Sequence, residues 1–255
     1  MTNLSVTPSQ RLAARIAGLA YVIAILYVPV YLLTSASLSV SGDPAATLAN
    51  VQAHPVLFRV GIATSLVMFV SVFVLIAALY VTVEPVNRTV ALLGLVLRLP
   101  EAMLGLVSVV FSLLVSQIAS GDASLAGSGP QQVQAQVQLA LQGGSAAGTL
   151  NLFFMALGSL PFLYLFWTAR YAPRPLVGFG MLAYVLALAS AFTSILAPGS
   201  AIDGMQMLLV GPVMLFELVF GLWLTIRSVD VPLAQAPTDR KALPRVDAVH
   251  AAAHR

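Results

Sequence analysis

The sequence has no cysteine and few charged residues, and each shortage excludes a class of protein. Without cysteine, the 255-residue chain can form no disulfide, thiol nucleophile, thiolate metal site or iron–sulfur cluster. Only 8% of its residues are Asp, Glu, Lys or Arg, whereas soluble domains carry about 25%. So few charges cannot cover a water-soluble surface, and we do not expect a soluble globular protein.

Apolar residues make up 59% of the chain and come in runs long enough to cross a bilayer. At 1.5 Å per residue, about 20 residues in a helix span the roughly 30 Å of hydrocarbon. We therefore predict an all-α, polytopic membrane bundle of six transmembrane helices, at residues 16–34, 57–83, 89–118, 148–168, 175–197 and 206–226. The first run is longer than the apolar stretch of a signal peptide, so we expect it to remain as a span.

The basic residues predict the orientation of these spans. Lys and Arg are enriched in cytoplasmic loops, and ten of the twelve in this chain lie on one side of the predicted membrane. Both termini are therefore predicted to be cytoplasmic. Because these residues occur singly at the ends of apolar runs, they indicate membrane anchors and not a nucleic-acid site. The ten are Arg11, Arg15, Arg88, Arg170, Arg174, Arg227, Arg240, Lys241, Arg245 and Arg255.

The two long external loops are each predicted to contain a short helix. In the loop at 35–56, Asp43 is a helix N-cap and Pro44 suits the first helical position. In the loop at 119–147, residues 130–142 have both a helical apolar stripe and a strand-like alternation. We favour the helix, because a lone strand has no partner for its backbone, and expect it to end at Gly143-Gly144.

Three regions follow from this organisation. Residues 1–10 form an N-terminal cytoplasmic segment, and residues 11–227 form the six-helix transmembrane domain. Residues 228–255 are rich in Ala, Pro and charge and show no periodicity. We predict that this last segment is a disordered cytoplasmic tail.

Three ionisable side chains lie deep inside the predicted spans: Arg98, Glu101 and Glu217. A charge inside the membrane is costly, so each needs a partner or a watery cavity. Arg98 and Glu101 are three residues apart on one helix face. Arg98 and Glu217 lie equally deep from the cytoplasmic ends of their spans. We hypothesise that the third and sixth spans pack together and that Arg98 bridges both glutamates near Pro100.

This cluster of charges has two interpretations. In the first it binds a ligand, or holds or passes a proton, because one cation faces two carboxylates and leaves a surplus of negative charge. In the second it is a buried salt bridge that fixes the packing of the helices and does nothing else. A polar cavity reaching the cluster would favour the first interpretation, and a tightly packed cluster would favour the second.

Candidates for other chemistry are few. At the outer surface, Arg59 is either an interfacial anchor or a clamp on Asp43 or an anionic ligand. The spans contain no paired histidines, facing aspartates or Gly-rich phosphate loop. We therefore assign no catalytic residue, no metal site and no cofactor, and keep a membrane enzyme as the third hypothesis.

Several short motifs occur between residues 11 and 227: Arg15-Ile16-Ala17-Gly18-Leu19, Gly42-Asp43-Pro44-Ala45-Ala46-Thr47, Leu57-Phe58-Arg59-Val60-Gly61, Ala78-Leu79-Tyr80, the stretch from Arg98 to Glu101, Phe216-Glu217 and Trp223-Leu224. Together they resemble the bacterial domain-of-unknown-function 4386 family of multipass membrane proteins. The resemblance implies a bacterial inner-membrane protein of six spans. It implies no activity, so it assigns no role to any residue.

Two function classes remain ahead of the enzyme. The first is a protein that binds or transports a small or lipid-like ligand at Arg98, Glu101 and Glu217. The second is a structural or regulatory membrane protein that acts through protein partners, with the charges purely structural. Membrane lipids are expected partners in both, and the sequence does not indicate an oligomeric state.

Overall fold

The computed structural model describes residues 6–121, 129–198 and 206–229, and within them the regular structure is helical, with no strand. One short 3₁₀-helix, Ala36–Leu38, accompanies seven α-helices. These are α1 (Pro8–Thr34), α2 (Pro44–Ala53), α3 (Pro55–Val83), α4 (Arg88–Ala119), α5 (Pro130–Ala169), α6 (Arg174–Leu196) and α7 (Gln206–Arg227).

Six helices are long and apolar enough to cross a membrane: all except α2. The prediction of an all-α bundle with six spans is confirmed, and the chain is a multipass membrane protein. Many of the outward-facing side chains on these helices are large and apolar, as lipid contact requires. The first span begins earlier than predicted, at Pro8, because Thr7 and Gln10 form a capping box there.

The six spans are arranged in a ring. In chain order, α1, α3, α4, α5, α6 and α7 each pack against the next, and α7 returns to pack against α1. The apolar core of the ring includes Phe162, Phe166, Phe216 and Phe220.

The beginning of α1 and the end of α7 lie at the same end of the bundle, which we name the basal end. The Ser228 hydroxyl donates to the Arg11 carbonyl at 2.9 Å, and Gln10 Nε2 donates to the carbonyl of Thr82 at 3.1 Å and to the Tyr171 hydroxyl at 3.4 Å. Burial raises the pKa of the Tyr171 phenol, an effect that the bond from Gln10 partly offsets. These contacts join four helix ends and agree with an even number of spans.

The opposite end, which we name the cap end, has the predicted surface helix. Asp43 Oδ1 accepts a hydrogen bond from the Ala46 amide at 2.9 Å, and Pro44 is the first residue of α2. The Thr47 hydroxyl accepts from the Val40 amide at 2.9 Å, which fixes the turn before the helix. Val51 is buried and packs on the core at the cap end, so α2 covers the bundle there.

Helix α5 differs from the prediction. Residues 130–142 are helical, as predicted, but the helix does not end at Gly143-Gly144: it continues as one 40-residue helix into the fourth span. Gly143 lies against the Phe111 ring of α4, where an added Cβ would be 2.4 Å from a ring carbon. The glycine is therefore a site of close helix packing and not a break. The predicted tail lies outside the described residues, apart from its first two positions.

Candidate functional site

Arg98 lies inside the ring, ten residues from the basal start of α4, and its side chain is 1% exposed. Its Nε donates to Glu101 Oε2 at 2.7 Å, the intrahelical pair that the three-residue spacing predicts. Glu101 is itself 4% exposed. This pair places two opposite charges inside the ring, on the side of α4 that faces away from lipid.

Two further helices contribute partners to Arg98. Its Nη1 donates to the Tyr21 hydroxyl of α1 at 3.1 Å, and its Nη2 lies 3.6 Å from Glu217 Oε1 of α7. The Tyr184 hydroxyl of α6 donates to the same Glu217 oxygen at 2.7 Å. Arg98, Glu101 and Glu217, which we name the charge cluster, are thus joined as the sequence predicted.

The predicted packing of the third span against the sixth is corrected by the structure. Helix α4 packs chiefly on α3 and α5, whereas α7 packs on α1 and α6. The ring separates the two helices, so the long Arg98 side chain crosses its interior to reach Glu217. The equal depth of Arg98 and Glu217 correctly indicated their ion pair. It did not require their helices to be packing neighbours, because the flexible arginine side chain spans the gap between them.

Helix α5 positions the backbone of α4 at this level. An added Cβ on Gly158 would lie 2.6 Å from the Arg98 backbone nitrogen, so only glycine allows this approach. The Asn151 side-chain amide donates to the carbonyl of Glu101, the residue after Pro100, at 2.6 Å. The close approach and the hydrogen bond together fix where Arg98 and Glu101 enter the ring.

Each charged group of the cluster has a protein partner. The Arg98 guanidinium has hydrogen bonds to Glu101 and Tyr21 and an ion pair with Glu217. One cation facing two carboxylates leaves a surplus of negative charge, and the Tyr184 hydroxyl stabilises it by donating to Glu217. Glu217 has the most exposed side chain of the three, at 12%. This arrangement can hold α1, α4, α6 and α7 in register.

The two outer-surface candidates do not form an ion pair with each other. Asp43 accepts the N-cap hydrogen bond of α2, and Arg59 Nη2 donates to the Ser120 hydroxyl at 3.3 Å. Among the residues that the structure describes, no ion pair joins Arg59 to Asp43. In the same part of the chain, no group of three or more His, Cys, Asp or Glu side chains could hold a metal ion.

A cavity of about 550 Å³ lies in the cap half of the bundle, away from the charge cluster. We name it the cap cavity. Its lining comes from α1, α3, α4 and α5, with the 3₁₀-helix and α2 above, and contains no charged residue among those described. Hydroxyl groups are frequent in it: Tyr27, Tyr31, Ser35, Ser39, Thr47, Ser65, Ser108, Ser112, Ser145 and Thr149.

Sequence reasoning missed Tyr21, Tyr184 and the cap cavity. A buried tyrosine hydroxyl needs a polar partner, so a tyrosine at the depth of an intramembrane charge is a usable signal. Tyr21 lies 11 residues from Gln10, and Tyr184 lies ten residues into α6, close to the depth of Arg98. The cavity has no comparable signal, because its serines and threonines are scattered over four helices.

One family model matches the chain, over residues 16–228, and its description is "Domain of unknown function (DUF4386)". The match begins within α1 and ends one residue after α7. No curated protein and no solved structure matches the chain.

Proposed function

This chain belongs to the DUF4386 family, and from that premise we propose that it is a bacterial inner-membrane protein that binds a small uncharged ligand in the cap cavity. In this proposal both termini are cytoplasmic and the cap end faces outward, as the basic residues at the basal end indicate. The charge cluster stabilises the bundle below the ligand.

The cap cavity is the observation that carries the proposal. Its volume of about 550 Å³ is within the range of roughly 300–1,000 Å³ typical of ligand sites. Aromatic and aliphatic side chains such as Phe58, Ile62 and Phe69 line it beside the hydroxyl groups. Apolar walls with a few polar groups are the usual lining of a small-molecule site.

The charge cluster supports a different role. Arg98 is almost fully buried, its partners are side chains of the same chain, and none of the three cluster residues lines the cap cavity. We therefore place the ligand in the cavity and not at the cluster.

A structural or regulatory membrane protein is the second candidate function. The observation that favours it is the cluster itself, which connects α1, α4, α6 and α7 through buried hydrogen bonds and ion pairs. A scaffold would need this connection and would not need a filled cavity. The two candidates differ in whether a small molecule occupies the cap cavity.

The test is native mass spectrometry of the protein purified in mild detergent. We expect a copurifying small molecule on the wild-type chain and its loss from Ser112→Phe, because Ser112 lines the cavity and a phenyl ring would fill it. The matched control is Ala63→Phe, at an exposed position of α3 outside the lining.

The wild-type chain and Ala63→Phe should carry the same added mass. If the wild-type chain carries none, or if Ser112→Phe keeps it, the ligand-binding proposal is wrong and the scaffold is favoured.

A further inference from the structure

We propose that the cap cavity takes its ligand sideways from the membrane, through a mouth between α1 and α5, and that this ligand is an uncharged lipid whose head carries a free hydroxyl. The inference rests on the proposed function and names its ligand class. It depends on where the lining is exposed, on its height in the membrane and on the direction of its hydrogen bonds.

The exposed part of the lining marks the mouth. Tyr31 of α1 is 43% exposed, Ser145 and Gly148 of α5 are exposed as well, and so is Ser39 beside the 3₁₀-helix. The lining residues of α3 and α4 are buried or half-buried. In the ring, α6 and α7 stand between α5 and α1. No described residue of α6 or α7 lines the cavity, so these two helices do not cover it on that side. The cavity therefore opens between α1 and α5.

The height of the mouth follows from helix rise. The basal contact of Gln10 with Tyr171 gives both helices a common level. From Gln10 to Tyr31 is 21 residues and from Tyr171 to Gly148 is 23, which is about 31 and 34 Å at 1.5 Å per residue. The hydrocarbon is about 30 Å thick, so the mouth lies at the cap-side interface, where lipid head groups are.

Several hydroxyls on the helical walls of the cavity can accept hydrogen bonds from a ligand but have no free proton to donate. The hydroxyls of Ser65, Ser108, Ser112 and Thr149 each donate to a backbone carbonyl one turn earlier in their own helix. Their protons are thus engaged. The Ser65 oxygen also pairs with the Tyr27 hydroxyl at 2.8 Å, so the lone pairs that remain for a ligand are chiefly those of Ser108, Ser112 and Thr149. A head group that donates hydrogen bonds, such as a free hydroxyl, complements this surface.

The lining also excludes a charged head and suits an acyl chain. Burying an ion without a partner is costly, and the described lining supplies no side chain of opposite charge. Deeper in the cavity lie Ile62, Met68 and Phe69, which offer apolar contact to the hydrocarbon below the head. An uncharged glycerolipid with one free hydroxyl has both features.

The test is photo-crosslinking of the full-length protein in lipid nanodiscs with a diacylglycerol that carries a diazirine in one acyl chain. We expect labelling of peptides from the cavity lining. Two analogues with the same diazirine, a phosphatidylglycerol and a diacylglycerol with its hydroxyl methylated, should label about tenfold less, a difference of about 1.4 kcal/mol in binding.

Gly148→Trp tests the mouth. An added Cβ on Gly148 meets no atom within 4 Å, and the same is true of Gly211 on α7, which is outside the lining. We expect Gly148→Trp to lower labelling about tenfold and Gly211→Trp to leave it unchanged. Ser145→Trp is the second mouth variant, used if Gly148→Trp does not fold.

Equal labelling by either analogue overturns the head-group assignment, and full labelling of the mouth variants overturns the lateral entry. If the diacylglycerol probe fails while Ser112→Phe still removes a copurifying molecule, this inference is wrong and the proposed function stands. If the wild-type chain also carries no copurifying molecule, both are wrong.

Discussion

Arg98 connects the interior of the bundle because its guanidinium has enough donors to reach three helices at once. The guanidinium contacts Glu101 on its own helix, Tyr21 on α1 and Glu217 on α7. A lysine ammonium is a point charge without the planar fork of donors. The residue type therefore decides whether helices that are not packing neighbours can be joined.

Removing Arg98 should destabilise the bundle strongly. Arg98→Met keeps an apolar stem but leaves Glu101 and Glu217 in the interior without their cation, and loss of one partner of a buried ion pair costs about 3–5 kcal/mol. Thermal unfolding in detergent measures the loss. Arg59→Met is the matched control, because Arg59 is exposed and surface substitutions usually change stability by no more than about 0.5 kcal/mol.

Glu217→Gln separates charge from hydrogen bonding within the same test. The amide oxygen can still accept from Tyr184, and the surplus carboxylate charge disappears, so the loss should be smaller than for Arg98→Met. A wild-type-like melting temperature for Arg98→Met would contradict the architectural role of the charge cluster.

At the scale of elements, α4 and α5 pack closely at the level of the charges. Gly158 lies against the Arg98 backbone and Gly143 against Phe111, so small residues set the spacing at two heights. Close approach at such residues is a common source of helix association in membranes. The pair positions both the charge cluster and one wall of the cap cavity.

Two glycines of α5 should respond oppositely to the same substitution. In Gly158→Ala the new methyl carbon would lie 2.6 Å from the Arg98 nitrogen, and such overpacking costs about 1–3 kcal/mol or more. In Gly148→Ala the methyl group meets no atom within 4 Å, and alanine favours the helix by up to about 1 kcal/mol. Thermal unfolding of both variants gives the comparison, and equal stability would contradict the close approach at Gly158.

The sequence allowed the six spans, the Asp43 cap and the Arg98–Glu101–Glu217 cluster to be predicted, because apolar runs, capping residues and isolated charges are local signals. It did not reveal that α5 passes through Gly143-Gly144. There glycine lowers helix propensity by about 1 kcal/mol per residue, but it also makes room for Phe111. Only the tertiary contact shows which effect prevails. The cap cavity could not be predicted either, because its hydroxyl groups come from separate helices.

At the scale of the whole molecule, the ring keeps two polar regions at different heights. Arg98, Tyr184 and Glu217 each lie ten residues from the basal end of their helix, about 15 Å by helix rise and thus near the middle of the membrane. The cap cavity lies farther from the basal end, beneath α2. A charged centre whose groups all have protein partners can stabilise the bundle while the uncharged cavity remains open to the cap-side interface.

The orientation of the ring is testable because the chain has no cysteine, so one introduced thiol is the only site for a maleimide. Gln52→Cys places it at an exposed position of α2, and Arg88→Cys places it at the basal end, where the arginine side chain is 81% exposed. Since Lys and Arg concentrate on the cytoplasmic side, a membrane-impermeant maleimide should label Gln52→Cys in intact spheroplasts and Arg88→Cys only after lysis. The unmodified chain is the control and should stay unlabelled. Labelling of Arg88→Cys before lysis would place the cap end in the cytoplasm, and the cap cavity would then open to lipids of the inner leaflet.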